Sequence, residues 1–186
     1  MEFISALWLP ILLSTVLVFA MGSVMNMVFT HHTKDYTRLP DEKALREAIQ
    51  SQNLTPAQYA FPFAHTKEEW GSPEVIEKFK SGPVGFLTIG RPGYGMQGQL
   101  IRHGIYVLCV SIMVAYIAAA ALGTGAQEYL SVFQVVGATA TLAYGSALFI
   151  NSIWYHMPWG NTLRHVFDGL IYGLLTAGVF GWLWPS

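Results

Sequence analysis

Hydrophobic positions fall into four long blocks, not into the short alternations of a sheet or the narrow stripes of a soluble helix. The blocks run from Phe3 to Phe29, from about Ile101 to Leu122, from about Tyr129 to Ile150 and from about Val166 to Trp184. A helix needs roughly 20 mainly apolar residues to cross a bilayer, so each block predicts one membrane span. The expected fold is all-α, a four-helix transmembrane bundle. The expected organisation is span one over 1–30, a polar cap segment of about 70 residues over 31–100, and spans two to four over 101–186. The opening MEFISALW holds no Lys or Arg, and the apolar run after it is too long for a signal-peptide core. The first block is therefore expected to stay in the protein as a helix.

The cap segment keeps aromatic residues and turn signals, so it is expected to be ordered. LPDEKALREAIQ predicts a short helix from Asp41 to Gln50, with Ala44, Leu45, Ala48 and Ile49 on one side. Thr55, Pro56 and Gln58 resemble a capping box that starts a short turn. In SPEVIEKFKSG, Ser72 is the expected N-cap, Pro73 the first helical residue and Gly82 the stop. VGFLTI at 84–89 has strand character but no evident partner strand. The segment is expected to cover the cytoplasmic mouth of the bundle, with Phe61, Phe63 and Phe79 toward the membrane interface. GYGMQG at 93–98 matches G-x-G-x-x-G. It lacks the second strand and the later acidic residue of a dinucleotide site, since residues 113–123 hold no acid. Its glycines are expected to bend the chain into span two, and no nucleotide partner is expected.

Composition agrees with the membrane assignment. Of 186 residues, 53% are hydrophobic and 11% charged, against about 25% charged in soluble domains. The net charge of -1 gives no surface for nucleic acid. Cys109 is the only cysteine, so an internal disulfide and a cysteine metal cluster are excluded; packing is its simplest role. All ten Lys and Arg lie on one side if there are four crossings. The N-terminus, the GTGAQ turn and the C-terminal WPS carry none. The positive-inside rule then places the cap in the cytoplasm and both termini outside. Trp8, Trp182 and Trp184 frame the outer side, and Trp154 and Trp159 the inner.

Small residues recur every four positions. The series are Gly169, Gly173, Ala177 and Gly181; Gly137, Thr141 and Gly145; and Ser111, Ala115 and Ala119. Lipid offers helices no hydrophobic drive to associate, so close backbone approach over small residues supplies much of the packing. The first use of these seams is within the chain; the other is a homo-oligomer or a larger membrane complex. Asn26 is expected to hydrogen-bond a neighbouring helix.

The candidate chemistry gathers at one membrane boundary. His31 and His32 end span one, His103 starts span two, His156 follows span three, and His165 starts span four with Asp168 one turn deeper. His65 lies in the cap. Helix bundles build metal and cofactor sites from side chains on facing helices, and neutral imidazole is the commonest protein ligand. Histidine also suits the interface for purely structural reasons. His31, His32, Asp35, His103, His156, His165 and Asp168 are the candidate ligands of a transition metal or haem. Met21 and Met25 would extend a soft copper site or simply fill gaps. An ionisable group in a span is by default functional. Asp168 is either that or the partner of Arg164, Arg102 or His103. Two His-x-x-Asp pairs, His32 with Asp35 and His165 with Asp168, are expected to meet at one mouth.

HHTKDYTRLPDE, QYAFP, GPVGFLTI, NSIWYHMPW and DGLIYGLLTAGVFGWLWP together resemble a family of small bacterial four-helix integral membrane proteins. The resemblance implies a bacterial cytoplasmic-membrane setting and transfers no activity, cofactor or catalytic residue. Three functions fit: an accessory or scaffold subunit of a larger membrane complex, a metal- or haem-binding membrane protein with redox or enzymatic potential, and a small transporter. The last is disfavoured because spans two to four hold no charge beyond Asp168 in their interiors.

Overall fold

The computed structural model describes residues 2–93 and 95–185. Four long helices dominate: α1 (Glu2–Met27), α5 (Met96–Leu122), α6 (Tyr129–Gly145) and α8 (Trp159–Leu183). A 3-10 turn at Ser146–Leu148 joins α6 to the short α7 (Phe149–Trp154), so the third span runs on to Trp154. The spans are 25 to 27 residues long, roughly 37–41 Å at 1.5 Å per residue. Only 22–39% of the residues in their most apolar windows are buried. Leu12, Val16, Met113, Tyr116, Leu142, Leu170 and Leu174 stand exposed along them. An apolar surface of that extent is not stable in water and is covered by lipid. The protein is thus a multi-pass membrane protein with four spans in contact with the bilayer.

The chain forms two compact units. The membrane unit holds residues 2–36, 95–152 and 157–185; the second holds residues 37–93 with Ile153–His156.

In the membrane unit, the glycine series of α8 packs against α6. A Cβ added to Gly169 would lie 3.0 Å from the backbone of Gly145 and Tyr144. One added to Gly173 would lie 2.9 Å from the Thr141 amide nitrogen, and one on Gly137 would be 3.2 Å from the Ala177 Cβ. These small residues are consumed inside the chain, which is the first of the two uses expected for them. On the other side of the bundle, Ser14 of α1 donates to Ser111 of α5 at 3.3 Å, both fully buried. Val18, Val107, Val114, Val136 and Phe180 fill the core between the helices. Trp184 Nε1 donates to the Gly125 carbonyl at 3.1 Å, fastening the end of α8 to the α5–α6 turn. Pro10 cannot donate into the helical ladder, and α1 is non-helical at Leu7 (φ -112°, ψ 17°).

Several expectations are corrected. The fourth span begins at Trp159, seven residues before the apolar block, so Arg164 and His165 lie inside the helix. Their polarity ended the hydrophobic pattern but not the helix, which accommodates polar residues at an interface. The second span likewise starts at Met96, which puts Arg102 and His103 inside it. Gly95 is the N-cap of this helix, and Gly93 stands at φ 79°. Asn26 does not reach a neighbouring helix; its amide donates to the Gly22 carbonyl of its own helix at 2.8 Å. Cys109 is exposed on α5 rather than packed inside, and as a small apolar side chain it suits lipid equally well.

In the second unit, α2 (Glu42–Ser51) is capped by Asp41, whose carboxylate accepts from the Ala44 amide. The helix α4 (Pro73–Ser81) is capped by Ser72 and stopped by Gly82 at φ 62°. A one-turn helix, α3 (Lys67–Trp70), lies between them and was not expected. The Thr55 capping box is also corrected: no helix forms there. The chain extends instead into β1 (Gln58–Phe61), which pairs antiparallel with β2 (Gly85–Thr88) in the register Gln58↔Thr88 to Phe61↔Gly85. The strand that seemed to lack a partner therefore has one. The Phe61 ring lies over Gly85, where an added Cβ would be 3.2 Å away, so glycine permits this cross-strand contact.

Candidate metal centre

The site is built from the end of α1 and the first three turns of α8. After Met27 the chain tightens into a 3-10 turn, Thr30–Lys34. The turn presents both neighbouring imidazoles to α8, their rings 4.1 Å apart. His31 Nε2 lies 3.0 Å from Asp168 Oδ1, and His32 Nε2 lies 2.7 Å from Asp168 Oδ2. His32 Nδ1 lies 2.5 Å from Asp35 Oδ2. The other Asp35 oxygen accepts from Arg164, Nε at 2.6 Å and Nη2 at 2.5 Å. Asn161 donates to the Asp35 carbonyl at 2.9 Å and accepts from Arg164 at 2.8 Å. His165 stacks on His32 at 4.5 Å, with Nε2 3.5 Å from Asp35 Oδ2. The carboxylates are nearly sealed from solvent, with Asp168 and Asp35 side chains 4% and 5% exposed.

Both nitrogens of His32 face carboxylate oxygens. An ionised carboxylate only accepts, so His32 donates from both nitrogens as the imidazolium. Burial alone would lower its pKa, but the hydrogen bonds to Asp168 and Asp35, and their charge, hold it above the ordinary imidazole value. Asp35 is the counterpart. Burial would raise its pKa, yet the bonds from His32 and Arg164 keep it below the usual carboxylate range. Asp35 and Asp168 are thus balanced by Arg164 and His32.

Five of the expected candidates meet here: His31, His32, Asp35, His165 and Asp168. Of the two expected pairs, His32 with Asp35 forms, and His165 with Asp168 does not. His32 bridges both carboxylates, while His165 approaches Asp35 rather than Asp168. Arg164, expected as a partner of Asp168, pairs with Asp35 instead. It lies one turn before Asp168, but the chain beyond α1 brings Asp35 to the guanidinium. His103 is not a member of the cluster; it lines an adjoining cavity with His165 and Asp168. His156 belongs to the second unit, its ring 5.7 Å from Phe86. Asn161 was missed by the sequence reasoning. Its place three residues before Arg164 on one helix face was the available signal.

Two overlapping triads have ligand atoms within 4.8 Å of one another: His31, His32 and Asp168, and His32, Asp35 and His165. Chemistry favours the first. Asp35 already holds Arg164 and His32, whereas Asp168 holds only imidazoles. A carboxylate on the far nitrogen of a ligating histidine fixes its tautomer and raises its basicity; Asp35 stands in that position to His32. Two imidazoles and a carboxylate suit a first-row divalent ion. The rings of His31 and His32 lie too close to admit a macrocycle between them, so the geometry favours a bare ion over haem. No protein family, no curated protein and no solved structure matches this chain.

Proposed function

We propose that this protein binds a divalent transition metal at the membrane boundary through His31, His32 and Asp168. The observation that carries the reading is the convergence of two imidazole Nε2 atoms on one buried carboxylate, with His32 held from behind by Asp35 and Arg164. The ion would replace the proton shared between His32 Nε2 and Asp168, with His31 completing the triad and open positions left for water or substrate. Charge distribution supports a bacterial inner-membrane orientation with this site and the cap segment cytoplasmic and the termini periplasmic. The role as an accessory subunit loses one support, because the glycine seam is occupied within the chain.

A second reading is favoured by one observation: the network is charge-balanced and partnered without an ion. It would then be a polar lock that fastens the end of α1 to α8. Elemental analysis of untagged protein, purified in mild detergent without chelator, separates the two. The metal reading expects stoichiometric iron, manganese, zinc or copper in the wild type and loss of it in Asp168→Asn and His31→Gln. A well-folded wild type without metal, and unable to take it up, would leave the lock.

A further inference from the structure

Beside the cluster lies a cavity of about 250 Å³. Val18, Val107 and Leu148 give it an apolar side, and His103, Asp168 and Tyr172 a polar one. Asp168 is the only acid in its lining, and both Asp168 oxygens are held by His31 and His32. Two other polar atoms stay available. A Cβ added to Gly22, one turn after Val18 on α1, would lie 3.5 Å from His103 Nε2 and 3.5 Å from the Tyr172 hydroxyl. Groups from α5 and α8 therefore converge on one notch in α1, and the missing side chain at Gly22 keeps it open. Neither atom hydrogen-bonds within the described residues. His103 is exposed, and the Tyr172 hydroxyl is not sealed as the Tyr144 hydroxyl is. Tyr172 follows Asp168 by one turn on the same face of α8, so the notch adjoins the metal centre.

Charge decides what the notch takes. Without an ion, Asp35 and Asp168 are balanced by Arg164 and His32. A divalent ion that displaces the His32 proton leaves the cluster with one net positive charge. A buried surplus charge is costly, and an anion close by offsets it. An imidazole N–H and a phenol O–H both donate, so the notch offers two donors and no competing free carboxylate. The apolar side of the cavity leaves room for a hydrocarbon body behind the anionic group.

We infer that the cavity binds a small monocarboxylate alongside the loaded metal centre, its carboxylate accepting from His103 and Tyr172 at Gly22 and its apolar body lying against Val18, Val107 and Leu148. The inference rests on the metal reading above. Binding at two adjoining sites is reciprocal, so the carboxylate must tighten the metal by the factor that the metal tightens the carboxylate. The test is a competition titration of Zn²⁺ against a chromophoric chelator, without and with saturating benzoate. Benzamide, of the same shape and no charge, is the control. Benzoate should tighten Zn²⁺ about tenfold in the wild type, and benzamide should change it less than twofold. Gly22→Ala places a methyl in the notch at ordinary contact distance, and Tyr172→Phe removes one donor. Each should abolish most of the benzoate effect. Circular dichroism confirms the fold of each variant. Zinc-binding wild type that ignores benzoate would overturn the inference, since hydroxide or water then balances the ion. An equal response to benzamide, or a benzoate effect that survives in both variants, would overturn it as well. A wild type that takes up no Zn²⁺ in either condition fails at the metal reading instead, and the carboxylate site falls with it.

Discussion

Asp35→Asn separates a metal centre from a polar lock. The substitution keeps the shape of the side chain and touches neither His31 nor Asp168. It changes what stands behind His32. Asp35 Oδ2 lies 2.5 Å from His32 Nδ1, and Oδ1 holds Arg164. An amide offers only one oxygen. If that oxygen faces His32, the amide nitrogen meets the Arg164 guanidinium, donor against donor. If it faces Arg164, His32 Nδ1 loses its acceptor. A charge-assisted bond is about twice as strong as a neutral one, so either arrangement weakens the hold on the ring. Losing such a supporting partner typically costs about 10- to 100-fold in metal affinity, or about 1.4–2.7 kcal/mol. The assay is a competition titration of Zn²⁺ against a chromophoric chelator, read beside the melting temperature. The double variant Asp35→Asn/Arg164→Gln removes the stranded cation. It should recover thermal stability without recovering affinity. An affinity within twofold of wild type, in folded Asp35→Asn protein, would refute the assignment of Asp35 as the group that orients His32.

The remaining predictions concern the seam, the pH response and the orientation. Gly169→Ala should destabilise the bundle by about 1–3 kcal/mol, because the new Cβ meets backbone atoms at 3.0 Å that cannot rotate away. Gly178→Ala, with nothing within 4 Å, should cost nothing measurable, and equal losses in detergent unfolding would argue against the α6–α8 seam. In metal-free protein the His32 contribution is full below its unfolded pKa of about 6.5 and is lost as pH rises through its raised folded value. The Asp35 contribution is full above about 3.8 and is lost as pH falls through its lowered value. The wild-type advantage over an Asp35→Asn control should therefore be greatest between those pH values, and melting curves showing an advantage that grows steadily toward alkaline pH would contradict it. In a Cys109→Ala background, Thr124→Cys should react with an impermeant maleimide on intact cells and Arg38→Cys should not; the reverse pattern would invert the orientation.

The membrane architecture was legible because a bilayer demands long apolar helices and few charges, and both are properties of local sequence. The seam was legible for a similar reason: Gly169, Gly173 and Ala177 share a face by simple periodicity. Helix starts were not. Polar residues such as Asn161, Arg164 and His165 interrupt a hydrophobic pattern without breaking a helix, so the pattern ends before the helix does. In the second unit, QYAF is too short to announce a strand by alternation, so its pairing with GFLT was not legible in the sequence. The α3 turn did carry a signal, since Thr66 accepts from the Glu69 amide and Glu69 accepts from the His65 amide, much as in a capping box. At the site, sequence placed His32, Asp35, His165 and Asp168 at one boundary by their distance from span ends. It did not reveal that His32 would bridge two carboxylates or that Arg164 would choose Asp35. Those choices depend on how the 3-10 turn after α1 rotates against α8, a tertiary relation with no local pattern.

The most direct measurement of the central claim is X-ray absorption at the edge of whatever metal the protein carries after gentle purification. The account predicts imidazole nitrogen scattering from two histidines and an oxygen ligand, at about 2.0–2.2 Å, changed when Asp168 is replaced by Asn. A shell of water oxygens alone, a sulfur-dominated shell, or no metal edge from a folded sample would contradict it.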